Sequence, residues 1–87
     1  MRISWHGGNP RKQTRSPLIV HVGRQLWKLR QRDQLTMRDV AEKTGLTNAF
    51  ICQIENGQSA PTIETLWKLA QCFGVGVQWF VKGYKED

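Results

Sequence analysis

Ala41, Gly45, Ile51 and Ile54 stand at positions 5, 9, 15 and 18 of a run counted from Met37. Few folds satisfy that spacing. A small Ala lets two helix backbones approach closely, a Gly makes the turn between them, and two Ile fill the angle that results. The surrounding residues, LTMRDVAEKTGLTNAFICQIENG from Leu35 to Gly57, supply the helix ends. Thr36 is a good N-cap with Asp39 three residues on, a carboxylate form of the capping box that also puts negative charge on the first turn. Val40, Ala41 and Thr44 make one inward face. Gly45 stops this helix, because the chain must turn sharply and Gly takes positive φ without a Cβ penalty. Thr47 caps a second helix with Phe50, Ile51 and Ile54 inward, and Asn56-Gly57 closes it. Two short helices at a steep angle are predicted, with the outer face of the second left free.

The rest of the chain supports this pair. Ser16-Pro17 opens a helix, Pro being tolerated in a first turn. Ile19, Val22, Leu26 and Leu29 then give an inward stripe down to about Arg32. Trp27, off this stripe, packs under the leader, serves a dimer contact or lies exposed. After Gly57 comes a short polar loop, Gln58-Ser59-Ala60-Pro61. Thr62 caps a helix with Ile63, Leu66, Leu69, Ala70 and Phe73 inward and Trp67 at its edge, and Gly74 stops it. Val77, Trp79, Phe80 and Val81 form a brief apolar helix ending at Gly83. The expected architecture is all-α: a compact five-helix bundle over 17–83, with a flexible leader over 1–16 and a tail over 84–87.

Charge is placed unevenly. The net charge is +6, yet Arg2, Arg11, Lys12 and Arg15 put +4 into the first 17 residues, which hold no acid. Nine basic and seven acidic residues leave only +2 for the remainder. Gly7, Gly8, Asn9 and Pro10 oppose regular structure there. The leader therefore reads as a disordered basic arm for a polyanion or as a solvated tail, and nonspecific attraction to phosphate follows from either. Trp5 within it folds back or stays exposed.

Chemistry beyond binding finds no footing. His6 and His21 are the only histidines, and His21 reads as a surface residue of the first helix. No Ser or Cys has a base at suggestive spacing, and there is neither a Gly-rich phosphate loop nor a Cys/His cluster for zinc. No enzyme activity, metal or cofactor is expected. Cys52 and Cys72 read as reduced thiols, Cys72 as a small buried hydrophobe and Cys52 as partly exposed. No apolar run approaches the ~20 residues a membrane span needs, and the start is not a signal peptide. A cytoplasmic protein is expected.

The outer face of the second helix of the pair carries Asn48, Ala49, Cys52 and Gln53, with Thr47 at its start. Asn and Gln can each make two hydrogen bonds to adenine, and Ala or a Thr methyl can touch the thymine methyl. The whole stretch from about Val22 to Gly83 resembles the Cro/repressor (XRE-like) helix-turn-helix family. GRQLWKLRQRDQLTMRDVA is similar to its first helix and junction, ICQIENGQSAPTIETLWKLAQCFGV to its third and fourth helices, and VQWFVKG to its short fifth. The resemblance implies a lambda-repressor-like DNA-binding domain, with the helix-turn-helix at about 36–56.

By family position, Thr47, Asn48, Ala49 and Gln53 face bases. Phosphate contacts are expected from backbone N–H groups at Thr36, Met37 and Arg38, from the Arg38 side chain, and from Asn56, Gln58 and Ser59. Arg11, Lys12 and Arg15 of the arm join them. The family commonly has Gln where this chain has Met37, which removes one usual phosphate hydrogen bond. The resemblance also implies a largely buried ion pair between Arg30 and Glu55, joining the first helix to the third.

The function expected is site-specific binding of double-stranded DNA by a transcriptional regulator, a repressor acting as a homodimer on a two-fold operator. One short recognition helix reads few base pairs, so pairing is needed for affinity. Val77, Trp79, Phe80, Val81 and Tyr84 are the expected dimer interface. A helix contact with RNA polymerase would make the protein an activator. Two alternatives share these residues: an antitoxin or restriction-modification controller with a toxin or other partner, and a protein-interaction module that does not read DNA.

Overall fold

The computed structural model describes residues 16–85. Four α-helices and one turn of 3-10 helix follow in chain order: α1 Pro17–Asp33, α2 Met37–Thr44, α3 Asn48–Glu55, α4 Ile63–Phe73, and the 3-10 helix Val77–Phe80. No strand occurs among the described residues.

Each α-helix begins where a hydroxyl oxygen accepts an otherwise unpaired backbone N–H. Ser16 accepts from Ile19 (3.4 Å), Thr36 from Asp39 (3.0 Å), Thr47 from Phe50 (3.0 Å) and Thr62 from Thr65 (3.1 Å). Gly45 (φ 80°) and Gly74 (φ 70°) end α2 and α4 in the left-handed region. Gln34 does the same for α1 at φ 55°, without the freedom of a glycine.

The core draws on every element. Val22, Leu26 and Leu29 of α1 meet Val40 and Ala41 of α2, Ile51 and Ile54 of α3, and Leu66, Leu69, Ala70 and Phe73 of α4. Phe80 is fully enclosed among them. Large side chains of this kind each gain about 1.5–3 kcal/mol on burial. The small domain depends on them, because it buries a modest share of its surface.

α1 is the spine of this arrangement. It packs on both α3 and the 3-10 helix. At Gly23 its backbone rests on the end of α3: a Cβ there would stand 2.8 Å from the Glu55 carbonyl oxygen and closer still to that of Ile54. Gln25, 5% exposed, donates from Nε2 to the carbonyls of Trp79 (3.0 Å) and Lys82 (3.3 Å). His21 Nε2 donates to the same Lys82 carbonyl at 2.8 Å, and its ring stands edge-on to Tyr84 at 5.6 Å. Arg32 donates to the Phe73 carbonyl at 2.9 Å, satisfying an orphan acceptor at the end of α4.

Four expectations are corrected. The fifth helix is a single 3-10 turn and not an α-helix. Its preceding Gly76 offers no side-chain cap, its bonds close three residues back, and Gly83 turns the chain at φ 84°. Ile63 is 70% exposed instead of inward, because it is the first residue of α4, a full turn ahead of Leu66, where the packing begins. His21 is not a free surface residue but a half-buried clamp on the C-terminal turn. Cys72 is only half-buried, and the burial it has pushes its thiol pKa up.

Gly23→Ala tests the spine. Replacing Gly by Ala inside a helix ordinarily stabilises by about 0.5–1 kcal/mol. Here the added methyl meets rigid backbone, so unfolding in urea should instead show a loss of about 1–3 kcal/mol.

Candidate nucleic-acid interface

α3 is presented by its neighbours. Ile51 and Ile54 are fully buried and Phe50 is half-buried, so the opposite face is turned outward. Thr47, Asn48, Ala49 and Gln53 are all exposed on it. Two (i, i+4) pairs, Asn48 with Cys52 and Ala49 with Gln53, give two adjacent columns. Cys52 is half-buried, and Asn56 Nδ2 donates to its sulfur at 3.4 Å. The Thr47 hydroxyl already accepts the Phe50 N–H, which leaves it its own proton to donate outward. No charged side chain lies on this outer surface between Thr47 and Gln53.

The end of α3 is held by an ion pair. Arg30 donates through Nη2 to Glu55 Oε1 (2.9 Å) and through Nε to Oε2, a two-pronged fork. Its Nη1 donates to the Leu35 carbonyl at 3.0 Å, so the same guanidinium also ties down the α1–α2 connection. The side chains are 11% and 5% exposed. The hydrogen bond to Glu55 raises the Arg30 pKa above its ordinary value, outweighing the cost of burial. Beyond Glu55, Gly57 turns at φ 73° and the Gln58 N–H returns to the Gln53 carbonyl at 2.9 Å. Asn56 and Gln58, which follow α3, are exposed, and Ser59 is half-buried.

The start of α2 is less open to an anion than the sequence suggests. Thr36 N–H donates to Asp39 Oδ2 at 2.9 Å, completing the capping box. That N–H is therefore engaged, and a carboxylate stands where a phosphate would approach. Met37 is half-buried with its side chain against the core. Arg38 is exposed. The donors left there are the N–H groups of Met37 and Arg38, both in the first turn, and the Arg38 guanidinium. Arg11, Lys12 and Arg15 lie outside the described residues.

The residues expected to pair two copies differ in exposure. Phe80 belongs to the core, Val77 and Trp79 pack half-buried against it, and Tyr84 is half-buried beside His21. Val81 alone of the five is exposed, at 45%. The larger apolar surface is on α4, where Ile63 and Trp67 are 70% and 53% exposed one turn apart. Sequence periodicity misses this, because it marks which residues share a face and not where the neighbouring helix ends. Among the described residues no group of His, Cys, Asp and Glu is arranged to hold a metal ion, and no helix is long and apolar enough to cross a membrane.

Two capped helices at a tight glycine turn, the second with a free polar face, define a helix-turn-helix domain. The helix-turn-helix family model HTH_3 matches residues 28–80, and the chain belongs to that family. It is 39% identical over 56 residues to the HTH-type transcriptional regulator SutR of Escherichia coli, a match covering 64% of this chain and 32% of SutR. It is 38% identical over 58 residues to the HTH-type transcriptional regulator PuuR of the same organism, covering 67% of this chain and 31% of PuuR. The chain thus matches about a third of the length of either relative. Among solved structures, an HTH_3 family transcriptional regulator from Vibrio cholerae superposes with a TM-score of 0.69 at 34% identity, over 75% of this chain and 38% of that one. The restriction-modification controller C.AhdI from Aeromonas hydrophila shares the fold, with a TM-score of 0.69 at 24% identity, over 71% of this chain and 94% of that one.

Two measurements probe the site's framework. Glu55→Ala strands a guanidinium that is largely buried, and should cost about 3–5 kcal/mol in chemical denaturation. The capping box gives a pH signature. Hydrogen bonds from Thr36 hold the Asp39 carboxyl below its ordinary 3.8. A depressed pKa in the folded state contributes stability above the unfolded value and loses it as pH falls through the folded one. The stability gap between the native protein and Asp39→Asn should therefore be constant near neutrality and close below about pH 4.

Proposed function

We propose that this chain is a DNA-reading domain of a transcriptional regulator, that α3 enters the major groove, and that the protein acts as a repressor by pairing on a two-fold operator. The observation that carries this reading is the exposed, uncharged amide face of α3, fixed at its far end by the buried Arg30–Glu55 fork. A helix read for sequence needs donors and acceptors held in register, and charge on its face would favour any phosphate over a chosen base. Asn48 and Gln53 are the residues that would take adenines, while Thr47 and Ala49 would meet thymine methyls. Arg38, Asn56, Gln58 and Ser59 flank them as phosphate contacts. This role needs no catalytic group, metal or cofactor, and places the protein with DNA in the cytoplasm. Pairing would draw on the exposed apolar residues, Val81 of the expected interface among them.

Selection of random duplex DNA at about 0.15 M salt, where purely electrostatic binding is well screened, should enrich an inverted repeat containing A·T pairs. Sedimentation should show two copies per repeat. On the selected site Gln53→Ala should cost about 1–3 kcal/mol and relax preference at one base-pair position, whereas Arg38→Ala should weaken every sequence alike and flatten the salt slope. Recovery of no preferred sequence, with equal losses for both variants, would move the function to a protein partner.

A further inference from the structure

A shallow, open groove of about 380 Å³ runs between α1 and the end of α3, lined by Val20, Arg24, Trp27, Lys28, Glu55 and Asn56. Arg24 and Lys28 stand one turn apart on α1 and are both exposed, and Trp27 between them is 48% exposed. Glu55 adds no free negative charge, because the Arg30 fork takes both of its oxygens. The groove is therefore cationic. Its position follows from the close approach at Gly23, which lays α1 on the carbonyls of Ile54 and Glu55 and so brings the next α1 residues beside Asn56.

We propose that this groove seats the phosphate backbone of the bound DNA, with Arg24 and Lys28 each neutralising a phosphate and Trp27 walling the groove and offering its indole N–H. The inference rests on the reading of α3 as the recognition helix, and it adds a second line of anchoring that does not come from the helix-turn-helix itself. Three observations favour this occupant. The groove shares Asn56 with the loop already flanking the recognition face, so one strand of backbone could run along both. The α2 start, another candidate place for a phosphate, has Asp39 on its Thr36 N–H and a half-buried Met37, which leaves affinity to be supplied elsewhere. The chain's own residues 1–15 carry four basic side chains and no acid, so charge opposes their seating in a cationic groove. An indole can face a backbone that passes it at any sequence, so the contact orients the domain without adding preference among bases.

The test is a salt titration of binding by fluorescence anisotropy, on the duplex recovered by selection and on a scrambled duplex. The variant Arg24→Ala/Lys28→Ala changes two exposed helical positions to the best helix former, and thermal unfolding confirms that it is folded. Each phosphate contact contributes about −0.9 to the slope of log K against log salt. The double variant should lose about 2 from that slope, and bind both duplexes roughly 30-fold more weakly at about 0.15 M salt. Lys68→Ala/Lys85→Ala removes the same net charge from exposed residues that do not line the groove and should keep a slope near that of the native protein. An unchanged slope for Arg24→Ala/Lys28→Ala, or an equal fall in both double variants, overturns the groove contact. In either case a native protein that still selects its duplex leaves the function of α3 standing; a native protein that selects no duplex overturns that function and the groove contact with it.

Discussion

The architecture depends on how closely α1 approaches the end of α3. That approach is possible because position 23 has no side chain, so backbone meets backbone at the carbonyls of Ile54 and Glu55. Everything α1 does follows from being there. Seven residues on, two turns along the same helix, Arg30 reaches Glu55 and the Leu35 carbonyl together. Back toward its start, His21 and Gln25 collect the carbonyls of the C-terminal turn, and at its other end Arg32 takes the last carbonyl of α4. A helix of 17 residues thus holds three other elements by their ends. This suits a small domain whose short helices would be marginal alone.

The Arg30–Glu55 pair illustrates why polar contacts are placed at those ends and not in the middle of the core. Removing two charges from water costs several kcal/mol per ion, and their attraction returns it only with good geometry. A forked guanidinium with a third bond to Leu35 meets that condition. What the pair contributes is orientation. An α3 of eight residues, with its hydrophobic side fully committed, can still rock about Ile51 and Ile54 unless its far end is pinned. If its short amides take bases as proposed, the α3 face would tolerate little rocking, since each bidentate contact needs both partners in plane.

Electrostatics across the surface divide along the same lines. The face from Thr47 to Gln53 is uncharged, while exposed cations stand on the neighbouring helices, Arg38 at the α2 start and Arg24 with Lys28 along α1. Under the proposed function, such a division would separate two tasks, reading and holding, which would interfere if a long flexible cation shared the α3 face. The capping box at α2 is an exception with a cost. It stabilises the helix start, and in doing so places Asp39 where an anion could otherwise have bound.

The caps and turns were legible in the residues alone. Ser16, Thr36, Thr47 and Thr62, with Gly45 and Gly74, act through bonds that span at most four residues, so local chemistry decides them. The exposure of the α3 face was legible too, as the complement of Ile51 and Ile54. The Arg30–Glu55 pair was legible only through resemblance to a family, because nothing local joins residues 25 apart. Tertiary structure alone decided the rest. It made Gly23 a contact point, drew His21 and Gln25 onto Trp79 and Lys82, buried Phe80 while leaving Ile63 in water, and set Trp27 in a cationic groove beside Asn56. The physical reason is common to all of these. Periodicity says which side chains share a face, but what covers that face depends on where other helices begin and end, and that is settled only when they pack.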